Sequence, residues 1–151
     1  MNWDALGAGA EMLGALAVIV SIIYLAAQVK QTRIQLQAQA EDNITARAFE
    51  AYEPVYQGDN ASIFRRGLES PESLNEDELF VFKMLMDRQR GAFATIIRRR
   101  ASGAISTELA DRLIKGYQGL FVQTNGGRLW LQGVREKMSE AELQALELID
   151  A

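Results

Sequence analysis

The chain has 151 residues, contains neither cysteine nor histidine, and carries a formal net charge of -4. Disulfides, thiol nucleophiles, zinc-finger sites and histidine-based catalysis are therefore excluded within it, and an acidic balance argues against a general nucleic-acid binder, whose footprint is basic. The length suits one domain with a modest hydrophobic core.

The first element is the most informative. Met12 to Val29, MLGALAVIVSIIYLAAQV, is an 18-residue run without a charge. At about 1.5 Å rise per residue it nearly matches a hydrocarbon core of ~30 Å. The alternative is a buried core helix, because Ser21, Tyr24 and Gln28 interrupt the run. A helix uncharged all round for this length favours the membrane reading. A signal peptide would open on positive charge, whereas this chain opens Met1-Asn2-Trp3-Asp4 and carries Glu11 before the run. Lys30 and Arg33 follow it instead. The positive-inside rule then predicts an uncleaved single-pass anchor in a bacterial inner membrane, N-terminus outside and C-terminal bulk in the cytoplasm. Trp3 and Tyr24 are expected at the two interfaces.

The expected organisation is a membrane anchor over residues 1–30, a juxtamembrane helical extension over 31–57 and a helical cytoplasmic domain over 58–151. The extension is rich in Gln, Ala, Glu and Arg, good helix formers, so the anchor helix is free to continue towards Pro54. Gly58-Asp59-Asn60 predicts a turn, followed by a short helix over 61–68 capped by Asn60, with Ile63, Phe64 and Leu68 inward.

From about Asn75 to Ala101 the sequence opens on Glu76-Asp77-Glu78 and closes on Arg98-Arg99-Arg100, matching both poles of a helix dipole. Leu79, Phe82, Met86, Phe93, Ile96 and Ile97 recur at helical spacing and form its core face. Gly103 is a stop, and Ser106-Thr107 with Glu108 starts a helix to about Gln123 whose inner residues are Leu109, Leu113, Ile114, Tyr117 and Phe121. Asn125-Gly126-Gly127 predicts a turn, and Leu129, Trp130, Val134 and Met138 a short amphipathic helix. Ser139 with Glu142 is a capping-box signature opening a last helix over 140–150. No segment alternates like a strand. The expected class is all-α, an N-terminal transmembrane helix followed by four to five helices.

The string GAEMLGALAVIVSIIYLAAQVKQTR, with a fainter echo in GGRLWLQGVREKMSEAEL, resembles a broad group of uncharacterised bacterial single-pass membrane proteins. Their apolar helix leaves through a Tyr-Leu-Ala-x-Gln exit, here Tyr24 to Gln28. The resemblance spans roughly residues 7 to 33 and implies an anchor plus a helical soluble domain. It brings no activity or catalytic residue.

Within the anchor, Gly7, Ala10, Gly14, Ala17 and Ser21 fall at three- and four-residue steps, and Tyr24 and Gln28 continue the stripe. Small residues on one face permit close approach of a second transmembrane helix, so these seven form the candidate helix–helix interface. The competing reading is the ordinary abundance of small residues in such helices. Glu11, near the membrane edge, is expected to snorkel outward. Arg98, Arg99 and Arg100, with Arg88 and Arg90 before them and a second small cluster at Arg65 and Arg66, are candidate contacts for anionic lipid, against the alternative of ion pairs and helix-end electrostatics.

Carboxylates at Glu50 and Glu53 or at Glu76 to Glu78 have no metal-loop spacing, and Gly126-Gly127-Arg128 lacks the strand and lysine of a phosphate loop. No catalytic residue, cofactor or metal ligand is assigned. The sequence points to a noncatalytic anchored interaction or assembly protein. Its expected partners are membrane lipid and either a second copy of the chain or a larger membrane complex. A cytoplasmic-facing signalling or regulatory module is the alternative, and a small membrane enzyme is third.

Overall fold

The computed structural model describes residues 3–147, with side chains for 7, 9 and 11–147. The side chains of Trp3 and Ala10, and the end of the last predicted helix at 148–150, lie outside the described residues. Among the described residues the fold is all helical, without a strand. The chain divides into two compact units, Met1–Ala38 and Gln39–Ala151.

Helix α1 runs Trp3–Glu50. Its length follows from the absence of proline or any strong breaker before Pro54. In the first unit every residue from Glu11 to Ala38 is exposed. This helix is long and apolar enough to cross a membrane, and none of its apolar window is buried. The polar interruptions form hydrogen bonds inside the helix itself. Ser21 Oγ donates to the Ala17 carbonyl at 2.8 Å, and Gln28 Nε2 donates to the Tyr24 hydroxyl at 3.0 Å. Such i to i−4 pairing lets polar side chains sit in an apolar surround without an external partner.

The second unit begins with the last turns of α1, where Ile44 is buried, and continues through a 3-10 turn at Glu53–Tyr56 that buries Val55. Residues 39–57 therefore fold with the helical unit. Five further helices follow: α2 Asn60–Glu69, α3 Glu76–Ala101, α4 Thr107–Val122, α5 Asn125–Val134 and α6 Glu140–Ala145. Gly58, at φ 56°, makes the turn into α2.

Helix α3 is the central element. Asn75 and Glu78 form the reciprocal capping box at its start, and the three arginines occupy its last turn. Phe82, Met86, Phe93, Ile96 and Ile97 are all buried, as their spacing predicts, while Leu79 is half-buried. Around Phe93 an aromatic cluster assembles: Tyr117 at 5.5 Å and Phe121 at 5.8 Å between ring centroids, with Trp130 stacked on Phe121 at 5.1 Å. Such pairs add about 0.5–1.5 kcal/mol each beyond the area they bury. The Trp130 indole N–H finds Asp87 Oδ1 at 3.2 Å.

Helix α3 also completes the end of α1. The last carbonyls of a helix have no intrahelical donor. Here Arg88 donates to the Glu50 carbonyl at 3.1 Å and the fully buried Gln89 to the Ala51 carbonyl at 3.0 Å. At the other end of the unit's α1 segment, Glu41 accepts from the Ser106 backbone N–H at 2.8 Å, just before α4.

Three local expectations are corrected. Asn60 is not the cap of α2: Asp59 holds that position without a side-chain bond, and Asn60 is the first helical residue, its amide donating to the Pro54 carbonyl at 2.9 Å. Asn125-Gly126-Gly127 is not a turn but the first turn of α5, capped by Thr124, whose hydroxyl accepts from the Gly127 N–H at 2.9 Å. Glycine is needed there for packing. A Cβ on Gly126 would overlap the Gly67 carbonyl of α2, and one on Gly127 would overlap the Leu120 carbonyl. The last helix keeps its Ser139–Glu142 capping box but ends at Ala145, and Glu147 turns to φ 57°.

Candidate functional site

Two regions are candidates, one in each unit. On α1, Gly7 and Gly14 have open space where a Cβ would stand. Ala17, Ser21, Tyr24 and Gln28 are exposed with them. Ala10 shares the backbone register, but its side chain lies outside the described residues. A small-residue face open to its surroundings has the shape that close helix packing requires, and the Ser21 and Gln28 hydrogen bonds lie within α1.

The arginines divide differently from their run in sequence. Arg66 forms a two-pronged pair with Glu78, Arg88 caps α1, and Arg90 reaches Glu142 at 3.5 Å and the Lys137 carbonyl at 3.4 Å. Arg100 pairs with Asp111 at 2.9 Å, and Arg98 donates to Thr95 at 3.0 Å. Arg98, Arg99 and Arg100 remain exposed at the end of α3. Much of the basic charge is thus engaged within the fold, which weakens its field on an anionic surface. Among the described residues no group of three carboxylates converges closely enough to hold a metal ion.

The second region is a groove of about 720 Å³ in the helical unit. One wall carries Phe49, Tyr52 and Tyr56, from the end of α1 and the 3-10 turn; the other carries Leu109, Leu113 and Tyr117 of α4. Phe49 and Tyr56 are 73% and 77% exposed. Glu53 and Arg112 supply its charges. The Arg112 partner is Glu108, one turn back at 3.6 Å, with both side chains largely in solvent, so that pair holds the guanidinium weakly.

Tyr117 differs from the other lining residues. Its ring belongs to the Phe93–Phe121 cluster and it is only 4% exposed, yet its hydroxyl has no hydrogen-bond partner. Burial raises its pKa, and the neighbouring Tyr52 raises it further. The Tyr52 phenol is likewise raised, by burial and then by Tyr56. Both phenols are thus protonated donors throughout the neutral range.

Sequence reading placed Tyr117 on the inner face of α4 but did not find the groove. The available signal was Phe49, Tyr52 and Tyr56 at steps of three and four, an aromatic stripe inside a Gln- and Ala-rich stretch. Comparison with protein-family models, characterised proteins and solved structures finds no match to this chain.

Proposed function

We propose that this chain is a noncatalytic, membrane-anchored interaction protein. Residues 12–29 cross the bacterial inner membrane, and the face of Gly7, Ala10, Gly14, Ala17 and Ser21 packs against a second copy or another membrane subunit. The helical unit organises the assembly on the cytoplasmic side, the side to which Lys30 and Arg33 assign it.

One observation carries this reading: a long apolar helix whose residues from Glu11 to Ala38 are all exposed. A core helix of a soluble protein would have most of that surface covered. Contiguous apolar surface on this scale calls for lipid or protein against it. The groove of the helical unit is the feature that favours the alternative, a regulatory module responding to a small molecule.

The full chain should resist alkaline carbonate extraction from membranes, and fluorescent fusions should show energy transfer in proteoliposomes. Gly14→Leu should reduce that transfer roughly tenfold, because it removes the close approach on which packing depends. Release by carbonate would sink the anchor, whereas unchanged transfer in Gly14→Leu would sink the interface alone.

A further inference from the structure

We infer that the groove between the Phe49–Tyr56 wall and α4 is a two-fold docking surface for a second copy of this chain. This deepens the proposed interaction role by naming the partner and a seam outside the membrane. It rests on the anchored reading in one respect: chains inserted with the same topology keep both helical units on one side of a bilayer.

Apolar surface lines the groove on both sides. Phe49 and Tyr56 on one wall are 73% and 77% exposed, and Leu109 and Leu113 on the other are half-buried. Single exposed hydrophobes are ordinary, whereas a set gathered along one groove marks an interaction surface. At about 150–250 Å² per buried aromatic, the exposed parts of these two rings amount to roughly 600 Å² over two copies. That is about half of the ~1,200 Å² at which stable interfaces begin, and confinement to one bilayer lowers the affinity that the surface itself must supply.

Charge selects the occupant. Glu53 stands on the aromatic wall and Arg112 on the α4 wall, and both are exposed. Arg112 meets Glu108 only at 3.6 Å and in solvent, and Glu53 has no ion pair among the described residues. In a two-fold interface residue i of one copy meets residue j of the other, and j meets i. An axis running along the groove exchanges its walls. It sets Glu53 against Arg112 twice, and the aromatic wall against the leucines of α4 twice. An axis across the groove would oppose Glu53 to Glu53 and Arg112 to Arg112. The surface is therefore complementary to itself in the first orientation and repulsive in the second, while a partner bearing one sign of charge would meet a like charge on one wall.

The test uses the full chain in proteoliposomes, where the absence of cysteine confines thiol chemistry to introduced positions. Glu53→Cys and Arg112→Cys chains, differently tagged, are inserted together and treated with a short bismaleimide. The mixed pair should cross-link several-fold more than either variant does with itself.

A charge exchange then tests the pairing itself. Glu53→Arg alone and Arg112→Glu alone should each lower energy transfer between fluorescent fusions several-fold, because like charges then face each other and the groove and anchor contacts act together. Mixed in equal amounts, the two variants should regain it, since every 53 to 112 contact is again opposite in sign. Both positions are exposed, so melting temperatures should stay close to that of the unsubstituted chain.

Cross-linking no greater in the mixture than in either variant alone, or no regain of transfer on mixing, overturns the groove as a seam between copies. A small molecule or an unrelated protein in the groove would produce these results, because neither responds to which variants are mixed. Energy transfer that survives them belongs to the anchor face. Release of the chain by carbonate sinks the anchor alone, and the groove is then judged by the same cross-link on the released chain.

Discussion

Packed glycines in the second unit contrast with open ones in the first. Gly7 and Gly14 of the first unit have nothing within 4 Å of where a Cβ would stand, whereas Gly67, Gly126 and Gly127 of the second have no room for one. In the helical unit the missing side chain is used up by the chain itself: α2 and α5 approach until Gly126 meets the Gly67 carbonyl, with the Phe82 ring beside both. In the first unit the same residue type leaves open space at the Cβ positions of Gly7 and Gly14. Small residues at helical spacing therefore carry two different meanings. One is a completed contact, and the other is an open position that leaves room for a neighbour.

The largest expected effect tests the completed contact. On helix propensity alone, Gly126→Ala should stabilise by about 1 kcal/mol. The overlap with the Gly67 carbonyl reverses the sign, because a backbone oxygen cannot rotate away as a flexible side-chain end can. Forcing the helices apart costs about 1–3 kcal/mol or more in a packed core. The expected net result is a loss of about 2 kcal/mol, read by urea unfolding of the full chain followed by circular dichroism. Unchanged or increased stability would mean that α2 and α5 do not meet at this point.

A smaller effect of opposite sign sharpens the comparison. Gly91 lies inside α3, exposed, with nothing within 4 Å of its Cβ position. Gly91→Ala should therefore recover the propensity term, a gain of about 0.5–1 kcal/mol in the same unfolding measurement. If it destabilises instead, openness at a helical glycine is no guide to its tolerance, and the reading of Gly14 loses its physical basis as well.

These glycines also show where sequence reading stops. The start of α3 was legible because Asn75, the acidic first turn and Glu78 act within one helical turn of each other, and Arg98 to Arg100 mark the other pole. The capping box of Ser139 and Glu142 was legible for the same local reason. Asn125-Gly126-Gly127 was not, because adjacent glycines read as a turn, whereas the packing that requires one of them involves a carbonyl on α2, 59 residues earlier at Gly67. Asn60 was misread similarly: its amide goes to the Pro54 carbonyl rather than to a helix N–H. The groove was hidden because its walls come from two stretches of chain, one of them read as a juxtamembrane helical extension. The unpaired Tyr117 hydroxyl has no sequence signature, since an inward-facing tyrosine in α4 looks the same whether or not its oxygen is satisfied.

The smallest expected effect concerns an ion pair that couples α2 to the start of α3. Arg66 Nη2 meets Glu78 Oε1 at 2.5 Å and Nη1 meets Oε2 at 3.3 Å, while the Asn75 backbone N–H donates to the same carboxylate at 3.1 Å. Arg66 first, and then that backbone N–H, hold the Glu78 carboxyl below its ordinary range; the raised pKa of Arg66 reflects the same contact. A carboxylate depressed in the folded state contributes stability that is fully present above its unfolded pKa, about 4.3. The contribution is lost as pH falls through the lower folded value. Stability should therefore decline on the acid side of about pH 4.3, and Arg66→Met should make that decline shallower by returning Glu78 towards its ordinary pKa. The Asn75 contact remains in the variant and should preserve part of the slope. Solvent access to both partners keeps the change small, so it is best read as the difference between two acid unfolding curves at low salt. An acid limb unaltered by Arg66→Met would show that α2 is held to α3 by Phe64, Phe82 and the Gly67 contact alone.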